Sequence, residues 1–199
     1  LVPGFKLQQL AQTTKHQGVV ALCSIKPYST IEELKKDISN KTNPLLLLPA
    51  SVEDPGNLGS IIRSSVAFGV DALMLERKNT APLNAAVAKS AAGMLEHMRI
   101  CRPKNLEAIV KDFVSEGFSV VGADVEKGKK PADIDLNKKT ILVLGGEHRG
   151  IPPYLNRLCT DFVYIPINQT VQSLNVSAAT AALLYECARQ RGFNYQPEK

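Results

Sequence analysis

Short apolar runs alternate along most of the chain with segments in which apolar residues recur at helical spacing. Residues 45–48 are four consecutive leucines, a continuous apolar run typical of a strand covered on both faces. The next segment places Leu58, Ile61 and Ile62 on one stripe of a helix, which we expect to end at Gly69. This alternation predicts an α/β fold: a parallel sheet with helices on both faces.

The alternation continues from about residue 43 to the C terminus, where Val176, Leu183 and Leu184 share one stripe of a final helix. Residues 1 to about 40 differ, because they offer only a short β-like run at 19–22 and a small charged helix at 31–38. The other expected elements are strands at 71–75, 97–101, 118–123, 141–144 and 162–167, and helices at 82–92, 104–117 and 154–159.

Composition fits one globular domain with some chain to spare, since 44% of the 199 residues are hydrophobic and 22% are charged. No apolar run is long enough to predict a transmembrane helix, and no secretory signal opens the chain. The four cysteines lack metal-ligand spacing, which argues against a zinc site and favours reduced thiols. We therefore expect an intracellular protein, cytoplasmic in a bacterium and mitochondrial or plastid in a eukaryote.

The net charge of +5 has the sign expected for a protein that binds a polyanion. Each basic cluster alone is most often a solvated surface. Together they make nucleic acid the first partner to test. The clusters are Lys127 with Lys129 and Lys130, the pair Lys138–Lys139, and Arg189 with Arg191.

Three polar loops, at 54–60, 145–150 and 166–175, follow predicted strands. Ligands of parallel sheets bind beyond the carboxyl ends of the strands. The position of these loops therefore predicts a site at that edge of the sheet.

The first loop contains Asn57 and leads into a helix that carries Arg63. Asn57 has an ordinary interpretation as a turn or cap residue. Arg63 lies off the apolar stripe and near the loop, where a guanidinium suits a phosphate, although an isolated surface arginine has the same pattern.

The second loop places Gly145, Gly146 and Gly150 directly after a strand, which indicates tight turns or close approach of a ligand. It has neither the dinucleotide-binding fingerprint nor the Gly-Lys-Ser/Thr of a P-loop. Within it, Glu147 is either a solvated turn residue or a group that binds a ribose hydroxyl or anchors a substrate.

The third loop puts Ser173 and Asn175 at the start of the last helix. Free backbone N–H groups there favour polar or anionic partners. A serine N-cap is the ordinary alternative.

In order and character, the three loops resemble motifs of the SpoU (TrmH-like) RNA ribose 2′-O-methyltransferases of the SPOUT superfamily. The resemblance covers residues 43–192, and the stretch 89–97 is also similar to that family. The matching motifs are Asn57-x-Gly59-x-x-x-Arg63, Gly145-x-Glu147-x-x-Gly150 and Ile165-Pro166 followed by Ser173-Leu174-Asn175-Val176-Ser177.

The resemblance implies a C-terminal trefoil knot that forms an S-adenosylmethionine pocket, a homodimer, and no metal. It assigns cofactor contacts to Gly145, Ile165 and Leu174. It assigns the catalytic site to Arg63, Asn57, Glu147, Ser173 and Asn175. Arg63 acts there either as a base or as a group that binds phosphate and aligns the 2′-oxygen, and both alternatives stay open. The chain departs from many members where His148-Arg149 follows Glu147, and Arg149 is a candidate phosphate contact.

Residues 15–20 look like the junction after an N-terminal ribosomal-L30e-like substrate domain. The resemblance therefore implies a linker and domain remnant at 1–42, a catalytic domain at 43–192 and a tail at 193–199. It points to methylation of a guanosine in large-subunit ribosomal RNA. Transfer RNA is the alternative substrate, and a non-catalytic RNA-binding or ribosome assembly factor is the alternative function.

Overall fold

The structure, a computed structural model, describes residues 1–11, 13–14, 16–22, 24–146 and 149–193. Its centre is a parallel sheet of six strands in the order β3-β2-β1-β5-β4-β6. The strands are β1 (Leu45–Ala50), β2 (Ala72–Met74), β3 (Ile100–Cys101), β4 (Ser119–Asp124), β5 (Thr140–Gly145) and β6 (Asp161–Tyr164).

Helices cover both faces of the sheet. The α-helices of the described residues are α1 (Gly4–Ala11), α2 (Ile31–Ile38), α3 (Pro55–Ala67), α4 (Ala85–Ala91), α5 (Leu106–Ser115), α6 (Pro153–Asn156) and α7 (Val176–Gln190), and all of them except α1 bury side chains in a core. Residues from α3, α4 and α7 share one core with Leu45 and Leu47, while residues from α2, α5 and α6 share the other with Leu46 and Leu48. The predicted parallel sheet with two covered faces is therefore confirmed.

The helix α2 is held at its start by a capping box, in which Thr30 and Glu33 satisfy each other's backbone N–H groups. Its side chains Leu34 and Ile38 are buried in the core that contains Leu46. The packed domain thus extends to the N-terminal side of residue 43. The assignment of residues 1–42 to a linker and domain remnant stays a prediction.

The structure differs from the sequence predictions in the first 22 residues and at the end of β6. Residues 19–22 form no strand, and Val19 and Leu22 are among the most exposed large side chains. The strand β6 ends at Tyr164 rather than at 167, where Pro166 lacks the N–H that a sheet ladder needs. The helix α1 was not predicted, and it buries no side chain.

The described cysteines Cys101, Cys159 and Cys187 are free thiols, and Cys23 lies outside the described residues. Burial raises the pKa of Cys101 and Cys159 to about 11 and that of Cys187 to about 12. At neutral pH these thiols are therefore protonated and weak nucleophiles. Within the described ranges, no helix has the length and apolarity needed to cross a membrane.

Candidate active site

A cavity of about 420 Å³ opens at the carboxyl ends of β4, β5 and β6, beside the start of α7. Gly145, Ile165 and Leu174, the three predicted cofactor residues, all line it. Leu174 is 38% exposed although it is apolar, so its side chain is available to a ligand. The structure thus brings the three residues to one cavity, and their contact with a cofactor stays a prediction.

The glycines of the second loop are required by close backbone packing. A Cβ atom on Gly145 would lie 2.2 Å from the carbonyl carbon of Gly150, and one on Gly146 would lie 2.0 Å from the carbonyl oxygen of Ser51. Both separations are far below a van der Waals contact, so only glycine fits. The sequence left open tight turns or close approach of a ligand, and the observed contacts are with the protein's own backbone, so approach of a ligand stays a prediction.

The buried carboxylate of Glu76, which was not predicted from sequence, supports this loop through Ser51. Ser51, at a left-handed φ of 56°, donates its backbone N–H to Glu76 Oε2 at 2.7 Å. Tyr154, on α6, donates its hydroxyl to Glu76 Oε1 at 2.6 Å, and burial followed by this hydrogen bond raises the pKa of Tyr154. Glu76 therefore connects Ser51, on which Gly146 packs, to Tyr154 on α6, which follows the glycine loop in sequence.

The first and third loops meet through two asparagines. The side-chain amide of Asn175 donates from Nδ2 to the side-chain Oδ1 of Asn57 at 3.0 Å, which ties the starts of α3 and α7 together. The caps differ from the ordinary interpretations of the sequence. Asp54, not Asn57, caps α3, and Asn175, not Ser173, caps α7 through the Ser177 N–H. Ser173 lines the cavity instead.

Arg63 lies on the exposed side of α3, nearly two turns after Asn57. In the part of the chain that the structure describes, its guanidinium has no hydrogen bond or ion pair. The neighbouring Gly59 faces inward, and a Cβ atom there would lie 2.4 Å from Cβ of Ser90 on α4. Gly59 therefore serves helix packing, while Arg63 is available to a ligand.

The structure does not describe Glu147, the carboxylate of the second loop. Glu147 and His148 lie outside the described residues, so the role assigned to Glu147 stays a prediction. Arg149 is described and exposed beside the cavity residue Gly150. In the described ranges, no group of three or more His, Cys, Asp or Glu residues is arranged to hold a metal ion.

One basic cluster lies at the same edge of the sheet as the cavity. It follows Asp124, the last residue of β4, and includes Lys130. Lys127 holds its Nζ 3.7 Å from the centre of the Phe162 ring, and Lys129 lies 3.5 Å from the Asp161 carboxylate. These contacts hold Lys127 and Lys129 against β6, whose residue Val163 lines the cavity.

The other two basic clusters lie at the opposite edge, just before the start of β5 and at the end of α7. Arg191 is half-buried and donates to the carbonyl oxygens of Leu136 at 3.0 Å and Lys138 at 2.8 Å, and burial lowers its pKa. Arg189 pairs with Glu186 at 2.7 Å. Arg191, which the sequence analysis counted in a basic cluster, uses its donors on backbone carbonyl oxygens and holds this edge together.

Comparison with known proteins decides the family. Residues 44–185 match the SpoU rRNA Methylase family. The chain belongs to this family. A protein of Bacillus subtilis, named as a TrmH family tRNA/rRNA methyltransferase, is 34% identical over 96% of this chain and 76% of its own length. A tRNA/rRNA methyltransferase of Synechocystis sp., described as uncharacterised, is 35% identical over 97% of this chain and 50% of its own length.

Solved structures of SpoU proteins share the fold. The SpoU methyltransferase AviRb of Streptomyces viridochromogenes, in complex with the cofactor AdoMet, is 30% identical with a TM-score of 0.70. It covers 78% of this chain, which covers 60% of AviRb. The AdoMet-bound rRNA methyltransferase of Sinorhizobium meliloti is 28% identical with a TM-score of 0.73, over 82% of this chain and 61% of that one. The chain thus spans half to three quarters of the relatives named here.

Proposed function

We propose that this SpoU-family chain is an S-adenosylmethionine-dependent RNA ribose 2′-O-methyltransferase. The observation that carries the proposal is the convergence of Gly145, Ile165 and Leu174 on one cavity. The Asn57–Asn175 hydrogen bond joins the two helix starts that carry the other motifs. Family membership supplies the reaction class, and AviRb binds AdoMet in its crystal structure.

The cavity fits a nucleoside cofactor. Its volume of about 420 Å³ lies in the usual range for small-molecule sites. Apolar side chains such as Leu144, Val163 and Leu183 supply walls for a flat purine. Ser173 and Gln172 supply polar groups at the rim of the wall. When bound, S-adenosylmethionine supplies a methyl group on a positively charged sulfur.

Arg63 is the residue that we expect to act on the RNA. Its exposed guanidinium presents donors suited to a phosphate. A guanidinium releases its proton only with difficulty, so phosphate binding and alignment of the 2′-oxygen are chemically easier than general-base action. Asn57 and Asn175 fix the helix starts, and Glu147 and Ser173 complete the ribose side of the proposed site.

The substrate that we propose is a guanosine of large-subunit ribosomal RNA. Support comes from the resemblance of residues 15–20 to the junction of that branch and from the Sinorhizobium structure, named as an rRNA methyltransferase. The Bacillus relative is named for both tRNA and rRNA, so tRNA is the alternative. The positive charge of Lys127, Lys129 and Lys130, in the segment that follows the cavity residues Asp124 and Val125, suits either RNA.

We also propose a homodimer and a C-terminal trefoil knot, as the family resemblance implies. The dimer is supported by an exposed aromatic cluster on α7 and at the end of α3. Tyr185 is 52% exposed and Phe193 43%, and their ring centres lie 5.6 Å apart. Phe68 packs edge-on to Tyr185 at 6.1 Å. Exposed apolar clusters of this kind commonly mark an interface.

The test is transfer of labelled methyl groups from S-adenosylmethionine to unmodified ribosomal RNA and to tRNA. We expect label in ribosomal RNA, at a nucleotide whose 3′ linkage resists alkali because its 2′-oxygen is blocked. Label in tRNA alone would show that tRNA, rather than ribosomal RNA, is the substrate. RNA binding without any transfer would indicate the non-catalytic factor and contradict the proposed function.

A further inference from the structure

One charged side chain stands out in the wall of the cavity. Asp124 ends β4, and it is the only charged residue among those that line the cavity in the described part of the chain. The neutral polar lining comes from Asn156, Gln172 and Ser173. A single carboxylate in a largely apolar wall interacts more strongly with a ligand charge than it would in water.

The Asp124 carboxylate has a fixed position. Its Oδ1 accepts the backbone N–H groups of Glu126 at 3.0 Å and Lys127 at 3.1 Å, which closes the turn after β4. These two hydrogen bonds use one of the two carboxylate oxygens. The turn therefore holds the negative charge at the cavity wall, and among the described residues no cation forms an ion pair with it.

The same contacts keep Asp124 ionised. Burial opposes the charged form, but the backbone N–H groups of residues 125–127 and the charge of Lys127 outweigh it, so the pKa of Asp124 is lowered. The Lys127 ammonium lies over the Phe162 ring, and no ion pair joins it to Asp124 in the described structure. A full negative charge is thus present at neutral pH.

We propose that Asp124 makes the cavity selective for S-adenosylmethionine over its product, S-adenosylhomocysteine. The inference rests on the proposed function. Methyl transfer breaks the bond between sulfur and the methyl carbon, and the bonding electrons stay on sulfur. The positive charge of the sulfonium is lost, and the proton of the 2′-hydroxyl passes to solvent. The carboxylate attracts the cationic substrate more than the neutral thioether, which favours exchange of product for substrate.

The test is to measure by calorimetry the affinity of the wild-type chain and of the Asp124→Asn variant for both ligands. Asparagine keeps an Oδ1 acceptor for the turn and removes only the charge. The affinity for S-adenosylmethionine should fall about tenfold, as expected for one charge pair at ~10 Å and an effective dielectric near 20. The affinity for S-adenosylhomocysteine should change by less than about twofold, so the selectivity ratio falls.

The chain offers a matched control in Asp135. Its Oδ1 accepts the Asn137 N–H at 2.9 Å in a similar turn, but it is exposed and lies outside the cavity lining. Asp135→Asn should leave both affinities at the wild-type values. If Asp124→Asn lowers the affinity for both ligands equally, or for neither, Asp124 does not make the cavity selective. Failure of the wild-type chain to bind S-adenosylmethionine would instead overturn the proposed function itself.

Discussion

At the scale of single residues, the site depends on a few positions where the chemistry allows no ordinary replacement. Gly146 is one, because a methyl group there would overlap the Ser51 carbonyl oxygen. Arg63 is another, because its guanidinium has no hydrogen bond or ion pair in the described structure and is available to bind a ligand. The first residue supports the shape of the cavity, and the second supports the proposed chemistry.

Gly146→Ala should destabilise the fold and weaken cofactor binding. The added Cβ would lie 2.0 Å from Ser51 O, so either the loop or the end of β1 must move. We expect a loss of about 1–3 kcal/mol in the free energy of unfolding, the usual cost of overpacking. Urea unfolding measures it. Gly4→Ala is the control, since a Cβ there meets nothing within 4 Å, and an equal loss in both variants would refute the steric argument.

Arg63→Ala should abolish methyl transfer while leaving the affinity for S-adenosylmethionine nearly unchanged, because Arg63 is not part of the cavity lining. Transfer assays and calorimetry measure the two effects separately. Arg189→Ala removes an exposed arginine at the opposite edge of the sheet and serves as the control. Normal transfer by Arg63→Ala would show that the role given to this residue is wrong.

At the scale of elements, the Glu76 carboxylate joins segments that are distant in sequence. It connects the end of β1, through Ser51, to α6, through Tyr154. The glycine loop lies between these attachments and packs on Ser51. The position of the cavity wall at Gly145 therefore depends on a buried carboxylate that does not itself line the cavity.

Tyr154→Phe should lower the free energy of unfolding by about 1–3 kcal/mol, because it leaves a buried carboxylate oxygen without its donor. Tyr185→Phe is a matched control, since the Tyr185 ring is largely exposed. Thermal or urea unfolding of both variants measures the difference. A loss in Tyr185→Phe as large as in Tyr154→Phe would contradict the importance of the Glu76 contact.

The elements that could be predicted from sequence are those whose pattern has one physical explanation. The leucines 45–48 are all buried because they alternate between the two cores on the two faces of the sheet, as a continuous apolar run predicts. The helix 31–38 was predicted to the residue, since a capping box and an amphipathic stripe define it. The short β6 shows that Pro166 should have ended the predicted strand.

The site could be predicted only in part. The three loops meet at one edge because the carboxyl ends of parallel strands lie together, which the alternation of elements predicted. The Ser51–Glu76–Tyr154 contacts could not be predicted, because a single Glu after an apolar strand is equally typical of a solvated turn. Likewise, Arg191 looks like a surface cation in sequence, and only tertiary packing supplies the carbonyl oxygens that bind it.

At the scale of the whole molecule, the sheet divides the surface into two edges with different roles. The carboxyl edge carries the cavity and the joined helix starts, and Lys127, Lys129 and Lys130 follow the end of β4 there. At the amino edge, Arg191 binds backbone carbonyl oxygens and stabilises the fold. The exposed aromatic cluster on α7 adds a third surface, which we assign to the proposed dimer.

Tyr185→Asp should convert the proposed dimer to a monomer, because it places a charge in the exposed aromatic cluster with Phe68 and Phe193. Sedimentation velocity of the variant and of the wild-type chain measures the change. Lys111→Asp alters an exposed residue on α5, on the other side of the sheet, and should leave the mass unchanged. A wild-type chain that sediments as a monomer would contradict the proposed dimer.

A crystal structure of the chain with S-adenosylmethionine tests the proposed cofactor site most directly. We expect the purine between Ile165 and Leu174, in the cavity at the ends of β4, β5 and β6, with the backbone of Gly145 in contact. The methyl group should point toward the joined starts of α3 and α7. A cofactor bound at any other surface, with this cavity empty, would show that the proposed site is wrong.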